Sequence, residues 1–487
     1  MRRALKLLAA ATVAASVLTL PAGSPATAGA IQPPLGHAGR WITDAQGRHV
    51  TLHGMNMVAK VAPFMPDQLG FGDDDAAFLA AHGFNAVRLG VVVTGLEPSP
   101  GHFDEHYLAS LAGTVATLAR HGIRSLIWFP QELYNIQFKG NGMPNWMVRT
   151  DGIPISLLDG SMISNFLVQP ALLRTVDNFW NNKPVYGKGL QDWIAQAWQH
   201  VARKFHDDPA VLGYDIWNEP WPGTAWPSCL PPAGCPAFDK GKLAPYIHKV
   251  TAAIHAVDPR HLVFYEPTLF AAFGAPYDFG KPGDSRSAIS FHAYCLDPAV
   301  PAQTVPLYAL CDTVQKQVVA NAEAQSQRSG DAMLLSEFGA TNRMDEVNKV
   351  IRLADQSNVG WLEWSYCRCK DPGAAATADG LVYDPAKPPT GANVNMSHLN
   401  TLDEPYPQAI AGSGESYGFD PATLTFTLRY RPGGSGDTIV YTSPLHYPNG
   451  YRTVVTGATV TSKPGAPLLV LHALPGSTTV TLTLTSS

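Results

Sequence analysis

After its amino-terminal twenty residues, this 487-residue chain contains no apolar run long enough to cross a membrane. It has no cluster of basic residues, so the electrostatic footprint of a nucleic-acid-binding protein is missing. Its six cysteines do not fall into paired C-x2-C units, which denies a structural zinc site its ligand spacing. No G-x-G-x-x-G turn follows the first strand-like segment, which argues against a doubly wound nucleotide-binding sheet. No metal and no other cofactor is expected from these patterns.

What is present begins with a leader. Arg2, Arg3 and Lys6 precede an uncharged apolar run from Leu7 to Leu20, and small-x-small cleavage sites lie at Ala26-Thr27-Ala28 and Ala28-Gly29-Ala30. Residues 1–30 therefore read as a secretory signal peptide, cut near Ala28 to Ala30, with a secreted, soluble, monomeric product. Losing the three basic residues takes the formal net charge from −5 to −8. Export makes disulfides plausible. Cys229 with Cys235 would close a small Pro-rich loop, and Cys295 with Cys311 would brace a long one. Cys367 and Cys369 are too close for an easy mutual bridge, which leaves each to another partner or to the reduced state; spacing alone does not fix the pairing.

Residues 31–411 alternate strand-like and helix-like segments. Strands are expected in HVTLHGMNM, FNAVRLG, IRSLIWF, VLGYDIWN, HLVFYEP, AISFHAY, AMLLSEFG and VGWLEWS. DDDAAFLAAHG reads as a helix with acids in its first turn and Gly83 just past its end. DEHYLASLAGTVATLARHG closes in the same way on His-Gly. Eight strands with helices between most of them imply an α/β fold, a (β/α)8 TIM barrel. The segment from Phe129 to Gln191 is unusually long, yet it carries Tyr134, Trp146, Phe166, Phe179 and Trp180, which argues for an ordered loop over the carboxyl face. From Gly412 the pattern changes to short alternating runs broken by Pro-Gly and Asn-Gly turns, so 412–487 reads as a β-sandwich without assigned chemistry.

The chemistry centres on two glutamates. Glu219 ends the apolar strand of YDIWNEPW, and Glu337 ends that of LLSEFG. A carboxylate at the carboxyl end of a buried strand is costly without a task, and in a barrel that end is where catalytic groups sit. Two carboxyls facing one cleft are what glycoside hydrolysis needs. Glu219 fits an acid/base and Glu337 a nucleophile. The plainer alternatives are a helix cap for Glu219 and a buried ion pair for Glu337, with Arg88 as the partner. An arginine there is compatible with both, because it keeps a nucleophile ionised. Asn218 is placed to meet the sugar 2-hydroxyl. His292 and Tyr294 end the sixth strand and could order the carboxylates. Trp364 ends the eighth as a stacking platform. Glu266 ends the fifth and ranks lower, as sugar-binding or structural.

IWNEP and SEFG resemble the acid/base and nucleophile motifs of glycoside hydrolase family 5, a retaining family on the (β/α)8 barrel. NMVAKVAPFMP, NGMPNWM, VQPALLRTVDNFWNN and EPYPQAIAG further resemble segments of the endoglycoceramidases within that family, which cut between an oligosaccharide and ceramide. The resemblance implies Glu219 as acid/base, Glu337 as nucleophile, and Lys60, Asn218, Tyr294 and Trp364 as sugar contacts. It implies a glycosphingolipid in micelles or membranes as the partner. One departure stands out. Glucosylceramide-directed members have His-Gln-Asp after the third strand, whereas this chain has Pro130-Gln131-Glu132. Pro130 offers no side-chain donor, so Gln131 and Glu132 must shape that subsite, and a galactosyl-linked ceramide becomes the natural suggestion. The competing readings are a β-glycosidase acting on sterol or phenolic glycosides, a cellulase-like endoglucanase, and a non-catalytic carbohydrate-binding protein. The presence of both glutamates speaks against the last.

Overall fold

A computed structural model describes residues 30–157, 162–295, 310–367, 369 and 380–487. The leader lies almost wholly outside the described residues. Eight parallel strands close into a barrel: β1 (His53–Met57), β2 (Ala86–Gly90), β3 (Arg124–Trp128), β4 (Val211–Asp215), β5 (Leu262–Tyr265), β6 (Ser287–Ala293), β7 (Ala332–Phe338) and β8 (Trp361–Glu363). Each pairs with its neighbour in sequence, and β8 returns to pair with β1. The strands are buried almost throughout because one side faces the barrel interior and the other a ring of helices. Closure demands close backbone approach. A Cβ at Gly54 would sit 1.9 Å from the Ala86 carbonyl oxygen, so β1 meets β2 only through a glycine.

The helices start and stop where their caps dictate. Asp73–Ala81 has three acids in its first turn, and the Asp75 carboxylate accepts from Gly72 N at 2.7 Å. Glu105–Arg120 opens on Asp104, whose side chain accepts from Tyr107 N at 3.0 Å. Among the described residues five further connections or flanks carry helices, whereas β5 and β6 are joined through a short 3-10 helix, Leu269–Phe273. The described residues of the long segment after β3 are held by its aromatics. Phe179 stacks on Trp217 with centroids 4.4 Å apart, and Trp180 Nε1 donates to the Trp221 carbonyl at 2.6 Å. That packing ties the loop to the chain just beyond β4 and so to Glu219.

The carboxyl-terminal region is two antiparallel sheets around a core of Tyr406, Ile410, Phe426, Leu428, Val440, Leu469 and Leu482, among others. Its first strand is Tyr406–Ile410, on the barrel side of the change in composition at Gly412. That strand also pairs with His49–Val50, so short strands ahead of the barrel complete the sheet. Between the two regions His53 lies stacked against Trp361 at 4.1 Å and Tyr406 at 3.6 Å. No helix of the described residues is long and apolar enough to cross a membrane.

Cys229 is bonded to Cys235 and Cys295 to Cys311. Cys367 is bonded to Cys369, contrary to the expectation that they sit too close. The chain bends enough there to hold their Cα atoms 5.1 Å apart, within the usual bridging range of about 4.4–6.8 Å.

Candidate active site

Arg88, on β2, is the hub of the carboxyl end of the barrel. It is fully buried, and its guanidinium lies 3.8 Å from the ring centroid of Trp128. Nε donates to Asp215 at 2.9 Å, Nη1 to Asn56 at 3.1 Å and to Glu337 Oε1, and Nη2 to Asn218 at 3.2 Å and Glu266 at 2.6 Å. Only the planar fork of arginine can serve so many acceptors at once. Ser290 extends the network by donating to Asp215 at 2.7 Å.

Glu337 accepts from Arg88 on one oxygen and from the Tyr294 hydroxyl on the other, at 2.8 Å. Burial alone would raise its pKa. His292, Arg88, the Tyr294 hydrogen bond and Lys60 outweigh burial and hold it below the usual carboxylate value, so Glu337 is an anion at neutral pH. Glu219 sits across from it on the loop after β4, with φ of +39°. Its carboxylate accepts from His292 Nδ1 at 2.9 Å, and its side chain is 16% exposed against 6% for Glu337. One oxygen from each glutamate lies within 4.8 Å of the other.

His292 bridges the acids. Nδ1 faces Glu219 and, at 3.5 Å, Glu337; Nε2 lies 3.3 Å from Glu266. Burial would lower its pKa, but the carboxylates of Glu337, Glu266 and Glu219 push it up to about 9. Glu266 is also raised, chiefly by burial, with Asp215 and Glu337 adding to the effect against His292 and Arg88. The two shifts have different leading causes: burial disfavours the Glu266 anion, whereas the surrounding carboxylates favour the His292 cation against burial.

The edge of the cluster left partly exposed is formed by Glu132, Glu219, Tyr294 and Trp364. Lys60 is buried there, its ammonium 4.4 Å from the Trp364 ring centroid and paired with Glu132. Glu132 also accepts from Asn141 at 3.2 Å. Gln131, expected to touch sugar, donates its amide N–H groups to the carbonyls of Asn218 at 2.7 Å and Glu219 at 3.2 Å, where it supports the loop that carries Glu219. The other expected residues Lys60, Arg88, Glu132, Asn218, Glu219, His292, Tyr294, Glu337 and Trp364 come together as one cluster. Asp215, Asn56, Ser290 and the central position of Glu266 were missed. An arginine inside a strand of a buried sheet was the available signal, because it requires an acid on a neighbouring strand.

Among the described residues two groups have metal-ligand chemistry within reach of one point: Cys295, Cys311 and Glu346, and Glu219, His292 and Glu337. The two cysteines are spent in a disulfide. In the second group the surrounding carboxylates push the imidazole toward its cationic form, which suits proton chemistry. A carboxylate kept ionised, facing a more open carboxyl under 5 Å away, can attack a carbon on one side while the other protonates a leaving oxygen.

Residues 43–370 match the family model described as cellulase (glycosyl hydrolase family 5), and residues 405–483 match the glycoside hydrolase family 5 C-terminal domain. Endoglycoceramidase I of Rhodococcus hoagii (strain 103S) is 31% identical over 458 residues, covering 91% of this chain and 86% of that protein. The structure of endo-glycoceramidase II from Rhodococcus sp. in complex with ganglioside GM3 superposes with a TM-score of 0.77 at 27% identity, over 92% of this chain and 99% of that one. The same protein as a lactosyl-enzyme intermediate gives 0.74 at 26% identity, over 94% and 100%. An endogalactoceramidase structure gives 0.71 at 23% identity over 93% and 100%, which shows a shared fold alone.

Proposed function

Since the chain belongs to glycoside hydrolase family 5, we propose that it is a retaining β-glycosidase that cuts between the oligosaccharide and the ceramide of glycosphingolipids. The observation that carries this reading is the pair Glu219 and Glu337, with oxygens within 4.8 Å of each other. Retaining enzymes hold their carboxyls about 5–5.5 Å apart and inverting ones about 6.5–9.5 Å. Glu337, kept anionic by Arg88, Tyr294 and His292, attacks the anomeric carbon. Glu219 gives its proton to the departing ceramide oxygen and then takes one from the water that hydrolyses the glycosyl ester. The relative captured as a lactosyl-enzyme intermediate supports a covalent route, and the one holding ganglioside GM3 supports the substrate class.

The test is a product profile over glycosphingolipids, steryl and aryl glycosides and soluble β-glucans, with proton NMR of the first-formed anomer. Intact glycan plus free ceramide, with the β-anomer first, is expected. An α product would overturn retention. Cleavage of glucans but not of lipid glycosides would return the chain to a cellulase-like role.

A galactosyl preference is a second, finer reading. It is favoured by Pro130-Gln131-Glu132 in place of His-Gln-Asp, which removes the His donor and sets a longer carboxylate, Glu132, paired with Lys60, whose ammonium lies over Trp364. Galactose and glucose differ in the direction of one hydroxyl, so a misplaced polar partner is worth about 1–3 kcal/mol, or one to two decades in rate. Export as a monomer is likewise proposed, on the strength of the leader. Amino-terminal sequencing of the mature protein should begin near Ala28 to Ala30, and light scattering should return the mass of a single chain.

A further inference from the structure

Glu266 follows β5 and is 3% exposed. Its position cannot be explained as a simple partner for Arg88. Oε1 accepts from Arg88 Nη2 at 2.6 Å. Oε2 accepts from the backbone N–H of Glu219 at 2.8 Å and lies 3.3 Å from His292 Nε2. The opposite nitrogen of that imidazole donates to the Glu219 carboxylate at 2.9 Å. One carboxyl therefore bonds the peptide of Glu219 directly and reaches its side chain through an ion pair, rather than a hydrogen bond, with His292. Glu219 needs such a hold. Its φ of +39° is a conformation that side-chain-bearing residues avoid, at a cost of roughly 1–3 kcal/mol unless the surroundings impose it.

We propose that Glu266 is the positioning residue of the acid/base, clamping the backbone of Glu219 directly and its carboxyl through His292. The assignment rests on the reading of Glu219 as acid/base. It is the logic of a carboxylate–histidine pair that orients a third group, with the acid rather than a nucleophile as the group oriented. Arg88, the Glu219 N–H and His292 are the groups in contact with Glu266, and the charges of Asp215 and Glu337 also reach it. Glutamine cannot replace it. An amide has one acceptor oxygen, so its NH2 would have to face Arg88 or the Glu219 N–H, both of them donors.

The experiment compares kcat/KM on two substrates with the same glycan, one linked to ceramide and one to an activated aryl group. Glu219→Gln is the reference and should lose about 10²–10⁴-fold on the ceramide glycoside and far less on the aryl one. Glu266→Gln should repeat that split at about 10–100-fold, because only the proton-dependent departure is disturbed. The double variant should be no worse than Glu219→Gln alone, since both act on one proton transfer. Equal losses on the two substrates, or single-variant losses that multiply in the double variant, would overturn the proposal and leave Glu266 as a structural ion-pair partner. Glu266→Asp keeps the charge but shortens the reach. It should show the same split in milder form, and it answers the question if the Gln variant fails to fold. A Glu219→Gln variant without any split would overturn the acid assignment itself, and the role of Glu266 with it.

Discussion

Tyr294→Phe is the cleanest perturbation of Glu337, the proposed nucleophile, that the structure offers. It removes one oxygen, at a half-buried position, and leaves the ring in place. What is lost is a single hydrogen bond of 2.8 Å to Glu337 Oε2. A hydrogen bond to a charged group contributes about 1.5–3 kcal/mol. At about 1.4 kcal/mol per pH unit, the pKa of Glu337 should rise by roughly one to two units. The sign follows from the direction of the native shift. Glu337 is held below its ordinary value despite burial, its working form is the anion, and that form is lost as the pH falls through its pKa. Removing a donor to the anion raises that pKa, so the acid limb of the kcat/KM profile should move to higher pH by the same one to two units. Arg88, His292 and Lys60 still oppose burial, so the enzyme should remain active at neutral pH. Stability provides an independent check. The lowered pKa contributes stability that is present above the unfolded value near 4.5 and is lost as the pH falls through the folded value. The variant should therefore be less stable than wild type by about 1.5–3 kcal/mol at neutral pH, with the two converging in acid. Denaturant melts across pH and kcat/KM on an aryl glycoside measure both. An unmoved acid limb in a folded variant would refute the argument that the tyrosine holds the nucleophile ionised.

Three further outcomes are expected. Glu219→Gln should lose about 10²–10⁴-fold on a lipid-linked glycan and much less on an activated aryl glycoside, and matching losses on both would remove it from the acid role. Galactosyl-linked ceramides should be cut faster than glucosyl-linked ones of equal glycan length; the reverse order would separate Glu132 from sugar choice. His53, stacked between Trp361 and Tyr406, has its pKa lowered well below 6.5, first by burial and then by Arg352, so it is neutral when folded. The unfolded chain then binds the extra proton, and stability should fall as the pH drops below about 6.5. His53→Phe should flatten that acid decline in a thermal melt, and a decline of unchanged steepness would show that other groups cause it.

Most of the barrel could be read from the chain because its signals are local. Each strand is a short apolar run, and the helix ends at Ala81 and Arg120 are each followed by His-Gly, with Gly83 and Gly122 at positive φ. The glutamates stood out for the same reason, as carboxylates that end apolar runs. The features that escaped are those that depend on what lies opposite. Arg88 was seen as a candidate partner for Glu337, but its bond to Asp215 joins residues on two strands far apart in sequence, and no local pattern records that. Gln131 looked like a sugar contact from its place after β3, yet the carbonyls it serves belong to the loop after β4. The pairing of His49–Val50 with Tyr406–Ile410 is equally silent, since an antiparallel ladder between distant segments leaves no mark on either one.

The roles proposed for the two glutamates illustrate how environment, and not residue type, assigns chemistry. Both are the same acid, and both end a barrel strand or the loop just past it. Glu337 has a donor on each oxygen and two further cations nearby, so ionisation is stabilised. Glu219 accepts from His292 alone among the described residues, and its side chain is the more open of the two. A group that must gain and lose a proton in each turnover is best served by few fixed donors and by access to water, whereas a nucleophile is best served by donors that forbid protonation. The separation is reinforced by the neighbours. Burial raises Glu266, and the carboxylates of Glu337, Glu266 and Glu219 raise His292 against burial, so a proton is favoured on that side of the cluster and disfavoured on Glu337. Exchanging the two roles would require moving Arg88 and Tyr294 to the other glutamate, which the fixed order of the strands does not permit.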